Sequence, residues 1–114
     1  PFSWLFAVAS PGGEAKFTIA NNQLNGLNVG NGGSALIIGG LTVRNNKIGL
    51  LADGAGTLTL ASVPSNPSRI EDNSGTDVDL SFGTRATFDG VTFGSIKCDA
   101  TVLSRDSTGS MVCP

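Results

Sequence analysis

The chain has 114 residues, of which 39% are hydrophobic, 14% charged and 16 glycine, and its net charge is −2. That length suits one domain with a modest core, and the composition excludes a disordered polymer, which needs low hydrophobicity and high charge. The Lys and Arg residues are dispersed from Lys16 to Arg105, so there is no basic stripe for a nucleic acid, and no apolar run is long enough for a membrane span.

The first element is an apolar segment containing Phe2, Trp4, Leu5, Phe6 and Val8. Small residues at Ala7, Ala9 and Ser10 would suit the end of a signal peptide, but no basic region and no initiator Met precede them. A start inside a longer parent sequence is the better reading. Residues 1–16 are therefore taken as an apolar segment or partial lap. Its five large apolar residues are expected either to fold over the first lap or to meet another molecule, as an unpaired edge invites pairing.

From residue 17 to 97 the chain repeats. Phe17-Thr18-Ile19-Ala20-Asn21-Asn22, Leu41-Thr42-Val43-Arg44-Asn45-Asn46, Ser68-Arg69-Ile70-Glu71-Asp72-Asn73 and Val91-Thr92-Phe93-Gly94-Ser95-Ile96 align on Ile19, Val43, Ile70 and Phe93. The longest interval holds Ser62-Val63-Pro64-Ser65-Asn66-Pro67-Ser68, a proline-bearing loop. After each of the first three such strands comes a second one: Leu27-Asn28-Val29, Leu50-Leu51-Ala52 and Val78-Asp79-Leu80. A Gly-rich corner follows, at Gly30-Asn31-Gly32-Gly33, Asp53-Gly54-Ala55-Gly56 and Ser81-Phe82-Gly83. Then comes a third strand: Ala35-Leu36-Ile37-Ile38, Thr57-Leu58-Thr59-Leu60 and Ala86-Thr87-Phe88.

Three short strands per unit make a lap of about 22 to 28 residues, a period typical of solenoids. One lap cannot bury its inward side chains alone, so laps stack about 4.8 Å apart and pair strand on strand in parallel. Alternation turns Leu27, Val29, Leu58, Leu60, Val78 and Leu80 inward and leaves Asn28, Thr59 and Asp79 in solvent. Asn22, Asn46 and Asn73 fall at one corner, where asparagine tolerates left-handed backbone and its amide can bond to the next lap. An antiparallel sandwich also has short strands at regular spacing, but it does not need the same residue types at the same corner of every unit.

Residues 98–114 form the expected C-terminal cap. Cys98 and Cys113 enclose a stretch rich in Ser, Thr, Asp and Gly, and the chain has no histidine to complete a metal site. A disulfide is the better reading and implies an oxidising compartment; two reduced, buried thiols in a cytosolic protein are the alternative. Closing that loop would stabilise the fold by about 3 kcal/mol. Val102, Leu103, Met111 and Val112 are available to cover the last lap.

The pattern of apolar strand, Asn-Asn corner, second apolar strand, Gly-rich corner and Thr/Leu strand resembles the right-handed parallel β-helix proteins of the pectin-lyase-like superfamily. The resemblance spans Phe17 to Ile96, and Cys98 to Pro114 is similar to the cysteine-closed end of some uncharacterised bacterial members. It implies an all-β, right-handed parallel β-helix of about four laps. It does not imply one function, because the superfamily includes lyases, hydrolases, epimerases, adhesins and tailspikes.

No catalytic constellation is evident. The paired aspartates, histidine and Arg-x-Lys segment of polygalacturonase-type members are missing, and Glu71-Asp72 is the nearest pair. Asp77 and Asp79, two apart on one strand, are expected to project to one outward face. There they could bind calcium or serve as acid and base, or simply form a solvated strand face, which is the preferred reading. Arg44, Lys47 and Arg69 have no spacing that makes them a lyase base, and Ser34, Ser81 and Thr84 lack a partner base. Thr57 and Thr59 would suit an ice-binding row, but Ala35, Ile37 and Ala86 are expected beside them and break it. No cofactor is expected.

The sequence thus supports a non-catalytic structural or binding module, the terminal part of a secreted or surface β-helix protein, with a glycan as a candidate partner. One alternative is a fragment of a polysaccharide lyase or glycoside hydrolase whose catalytic laps lie upstream. A second is a unit that self-assembles end to end, as a homo-oligomer through its N-terminal end.

Overall fold

The structure, a computed structural model, describes the backbone of residues 4–8 and all of residues 16–113. The described elements are all short strands, as expected where Gly or Asn interrupts each apolar run within a few residues. In chain order they are β1 (Trp4–Val8), β2 (Phe17–Ala20), β3 (Asn25–Val29), β4 (Ser34–Ile38), β5 (Leu41–Arg44), β6 (Ile48–Ala52) and β7 (Thr57–Ala61). They continue with β8 (Arg69–Ile70), β9 (Thr76–Leu80), β10 (Arg85–Asp89), β11 (Thr92–Phe93), β12 (Ile96–Cys98) and β13 (Leu103–Asp106).

These strands build three parallel sheets. The first runs β2-β5-β8-β11, the second β3-β6-β9-β12 and the third β1-β4-β7-β10-β13. Each lap therefore adds one strand to every sheet, and the chain is a parallel β-solenoid. The register follows the repeat. Ile19 pairs with Val43, Val43 with Ile70, and Ile70 with Phe93 in the first sheet. Leu27, Leu50, Val78 and Ile96 stack in the second. Ala35, Leu58, Ala86 and Ser104 stack in the third. The inward rows meet in one core that includes Leu41, Val43, Leu50, Leu60, Ile70 and Phe88. Phe88 packs against Phe93 with ring centroids 5.4 Å apart. Because inward residues stand above their counterparts, any change at one lap is felt by its neighbours.

Positive backbone φ values recur at the corners. Between the second and third sheets, Asn31 and Gly32, Gly54 and Ala55, and Phe82 and Gly83 are consecutive left-handed pairs. Gly33, Gly56 and Thr84 close these turns by donating to Gly30 O, Asp53 O and Ser81 O, and Val102 does the same to Asp99 O in the fourth lap. The first three of these laps thus share one four-residue left-handed turn, and the fourth closes over the same length without positive φ. Between the third and first sheets, Gly39, Gly40 and Gly90 take positive φ.

The fourth lap departs from the expected period. Asp77 N donates to Ser95 Oγ eighteen residues on, and Gly83 N to Thr101 Oγ1 at the same separation. The missing residues are those of the asparagine corner, because only Gly94 and Ser95 separate β11 from β12. Beyond this lap the chain turns back. Met111 bridges Arg105 in antiparallel fashion, and Val112 N donates to Ser104 O. Cys98 and Cys113 form a disulfide. Ser104, fully buried in the core row, accepts a bond from Cys113 N at 3.0 Å and donates to Cys113 Sγ. Val102 is buried and Val112 packs on the core, but Leu103 and Met111, expected to cover the last lap, are exposed. Leu103 lies on the outward parity of β13, next to the inward Ser104.

The N-terminal apolar segment falls largely outside the described residues. Its backbone at Trp4–Val8 pairs in parallel with Ser34–Ile38, as the third-sheet strand of a further lap. Phe2, and the side chains of Trp4, Leu5, Phe6 and Val8, lie outside what is described.

Candidate functional site

Two surface features are built by the stacking: the asparagine corner and a groove beside it. The corner forms one wall of the groove.

At each asparagine corner the two adjacent residues divide the work. The first takes the left-handed turn: Asn21 at φ 63°, Asn45 at 56° and Asp72 at 59°. The second carries the ladder. Asn22 donates to Asn46 Oδ1 from both its backbone N (3.1 Å) and its Nδ2 (2.8 Å). Asn46 donates to Asn73 Oδ1 in the same way, at 3.0 and 3.1 Å. Asn46 and Asn73 also donate to main-chain carbonyls: Asn46 to Ile19 O and Arg44 O, Asn73 to Val43 O and Glu71 O. The sequence suggests one asparagine doing both tasks; a left-handed backbone and a bridging amide are in fact held by neighbours.

The ladder ends on Asp77. Asn73 donates to Asp77 Oδ1 from N (3.1 Å) and Nδ2 (2.8 Å), the same pair of bonds that the other asparagines make to the next lap. The other carboxylate oxygen, Oδ2, accepts from Ser95 N at 2.9 Å and Ser95 Oγ at 3.3 Å. A glycine column explains how the acid fits. Gly26, Gly49 and Asp77 are register equivalents. A Cβ on Gly26 would stand 2.8 Å from Asn46 Nδ2, and one on Gly49 2.6 Å from Asn73 Nδ2. In those laps the next lap's asparagine fills the space that a side chain would take. The fourth lap has no such asparagine, and the Asp77 side chain fills the space instead. Burial raises its carboxyl pKa, but the bonds from Asn73 and Ser95 outweigh this and hold it below the ordinary value.

This overturns the expected outward pair. Asp77 is only 6% exposed, while Asp79 is half-buried on the outer face beside Leu51 and Lys97. The parity is as expected, but Asn73 and Ser95 close over the first carboxylate, leaving Asp79 alone. Among the described residues no group of three or more His, Cys, Asp or Glu side chains is placed to hold a metal ion.

The groove lies on the outer face of the first sheet. Thr18, Thr42 and Arg69 are paired in sequence across β2, β5 and β8 and form its floor. Lys16, Gly40 and the Asn66-Pro67 segment of the proline loop form one side; Arg44, Glu71 and Asp72, leading into the asparagine corner, form the other. The loop is the excess length visible in the repeat, pinned by Asn66 N to Val63 O and by Gly40 N to Asn66 O. The groove is open to solvent along its length and has a volume of about 530 Å³. Lys16, Arg44, Arg69 and Asp72 are exposed and Glu71 is half-buried. Among the described residues none of these five charged side chains is held by an ion pair or hydrogen bond. Arg44 and Arg69 look like stray cations in the sequence. Their common face depends on the register and on a loop that has no evident task there.

A smaller depression of about 220 Å³ lies on the third sheet, between Thr57, Thr59, Arg85, Thr87 and Arg105. The neighbours of Thr57 are Ser34 and Arg85, and those of Thr59 are Leu36 and Thr87. Ala35, Ile37 and Ala86, expected beside the threonines, instead face the core. The expected neighbours are one position out of register, and the outward row is still irregular.

Comparisons with protein-family models, with curated proteins and with solved structures return no match. The geometry of the groove therefore carries the functional reading.

Proposed function

We propose that this chain is a glycan-binding, non-catalytic module, the terminal laps of a secreted or surface protein with the right-handed β-helix of the pectin-lyase-like superfamily. The observation that carries the reading is the first-sheet groove: hydroxyls on its floor, charged side chains on both sides, and no ion pair among them to be broken on binding. Hydroxyls, guanidinium groups and carboxylates are the complementary partners of a sugar's hydroxyls. The disulfide is compatible with an oxidising compartment. The ladder's end on Asp77 and the return of residues 107–113 onto Ser104 support the reading of a capped terminal end.

The test is a glycan array probed with the labelled chain, followed by titration of the strongest saccharide and a search for new reducing or unsaturated ends. The expected result is binding without cleavage, weakened by Arg69→Gln. Cleavage of the bound saccharide would favour the lyase or hydrolase alternative, and an absence of binding across the array would overturn the reading.

A further inference from the structure

The charges in the groove narrow the ligand further, resting on the glycan reading above. We infer that the groove selects a saccharide bearing a sulfate or phosphate ester, with the ester seated over Thr42 and the sugar ring directed toward the asparagine corner.

The donors converge from separate laps. Thr18, Thr42 and Arg69 lie in one line across β2, β5 and β8, so neighbouring Cα atoms are about 4.8 Å apart. Arg44 stands two residues beyond Thr42 on the same outward face, and Lys16 lines the opposite side near Gly40. An ester of sulfate or phosphate offers three terminal oxygens spread around a cone, so it accepts from hydroxyl and cationic donors on several sides at once. A carboxylate offers two oxygens in one plane, which a single guanidinium fork satisfies. Two guanidinium groups, an ammonium and two hydroxyls suit the ester better.

The acids give the orientation. Glu71 and Asp72 both lie in the third lap at the corner end of the groove. They repel an anion from that end and accept from neutral hydroxyls there. A fully anionic polymer would pair poorly with them; a sugar whose charge sits at one edge satisfies both halves. Three cations against two carboxylates leave the groove positive in a chain of net charge −2.

Titration of four saccharides on one backbone tests this: a neutral hexasaccharide, its sulfated form, its phosphorylated form and its uronate form. Arg44→Gln and Arg69→Gln are measured beside Lys97→Gln, which changes an exposed cation on another sheet. Sulfated or phosphorylated sugar is expected to bind at least tenfold more tightly than the neutral form, and the two ester arms show which is preferred. Each groove substitution is expected to remove five- to twentyfold of that affinity with an unchanged melting temperature, while Lys97→Gln leaves it intact. Equal binding of the neutral or uronate form overturns the ester preference while leaving the glycan reading in place. Ester binding that is indifferent to both arginine substitutions overturns the site. Failure of all four forms, together with an empty array, removes the glycan reading as well.

Discussion

Replacing Asn46 by alanine tests whether the asparagine ladder holds neighbouring laps together. Asn46 is 1% exposed, and its side chain takes part in five hydrogen bonds: two accepted from Asn22 and three donated, to Ile19 O, Arg44 O and Asn73 Oδ1. Not all of the partners would be stranded. Arg44 O keeps a weaker bond from Asn21 N, Asn73 Oδ1 keeps the Asn46 backbone N, and the exposed Asn22 is free to turn to water. Ile19 O loses its side-chain donor in a half-buried strand, and a small void is left. Because two Nδ2 hydrogens serve three acceptors, the loss amounts to about four bonds; at roughly 0.5–1 kcal/mol each, with about 1 kcal/mol for the void, the destabilisation is about 3–5 kcal/mol. For a domain of this size that is a fall in melting temperature of about 12–30 °C. The internal control is Asn22→Ala at the exposed end of the same ladder, expected to cost about 1 kcal/mol or less. Thermal unfolding followed by circular dichroism measures both. If Asn46→Ala loses no more stability than Asn22→Ala, the ladder contributes nothing beyond ordinary turn propensity and the reasoning fails.

Three further outcomes follow from the same geometry. Asp77→Asn should cost about 2 kcal/mol near neutral pH, because a carboxamide turns a donor toward either Asn73 or Ser95. Since the folded pKa of Asp77 lies below its unfolded value, its contribution is present above about pH 4 and fades as pH falls through the folded pKa. Melting temperatures of wild type and the Asp77→Asn variant should therefore converge in acid. Gly49→Ala places a methyl 2.6 Å from Asn73 Nδ2 and from Asp77 O, and should cost about 3 kcal/mol or more in a denaturant titration, whereas an alanine at solvent-facing Gly109 should cost about 1–2 kcal/mol through its positive φ alone. Phe82, 71% exposed and held at φ 51°, is strained without burial to offset it, so Phe82→Asn should raise the melting temperature by several degrees, for about 1 kcal/mol.

The lap register could be read from the sequence because several independent markers repeat together. Ile19, Val43, Ile70 and Phe93 stack as their alignment suggests, and so do the Leu27, Leu50 and Val78 strands. Cys98 and Cys113 could be paired because the chain has no other cysteine. Features that depend on what the next lap contributes could not be read this way. Nothing in the sequence marks Gly26 and Gly49, whose side-chain space is occupied by Asn46 and Asn73 of the next laps. Asp77 follows the outward alternation and still ends buried, because the fourth lap omits the corner that would have covered that position. The groove is hidden for a similar reason: it needs Lys16, Arg44 and Arg69 from three laps, and a proline loop whose only visible property is its length.

Asp77 also explains why the ladder stops where it does. An asparagine column has a direction: each Oδ1 accepts from the lap before and each Nδ2 donates to the lap after, so the amides propagate as long as another asparagine follows. The last Nδ2, on Asn73, needs an acceptor. The residue that supplies it must also receive Ser95 from the far side, so it meets donors on both flanks. A carboxylate has acceptors only and satisfies both; a carboxamide satisfies one and opposes the other. The position must moreover be one where a side chain has room, which the column permits only where the next lap's asparagine is missing. Extending the ladder by one lap would therefore require two coupled changes, Asp77→Gly and insertion of an asparagine-bearing corner after Phe93. Either change alone should be worse than neither, which makes the pair a double-mutant cycle with a favourable coupling energy of about 2 kcal/mol or more, measured by denaturant titration of the four chains. Simple additivity of the two single losses would refute the coupling.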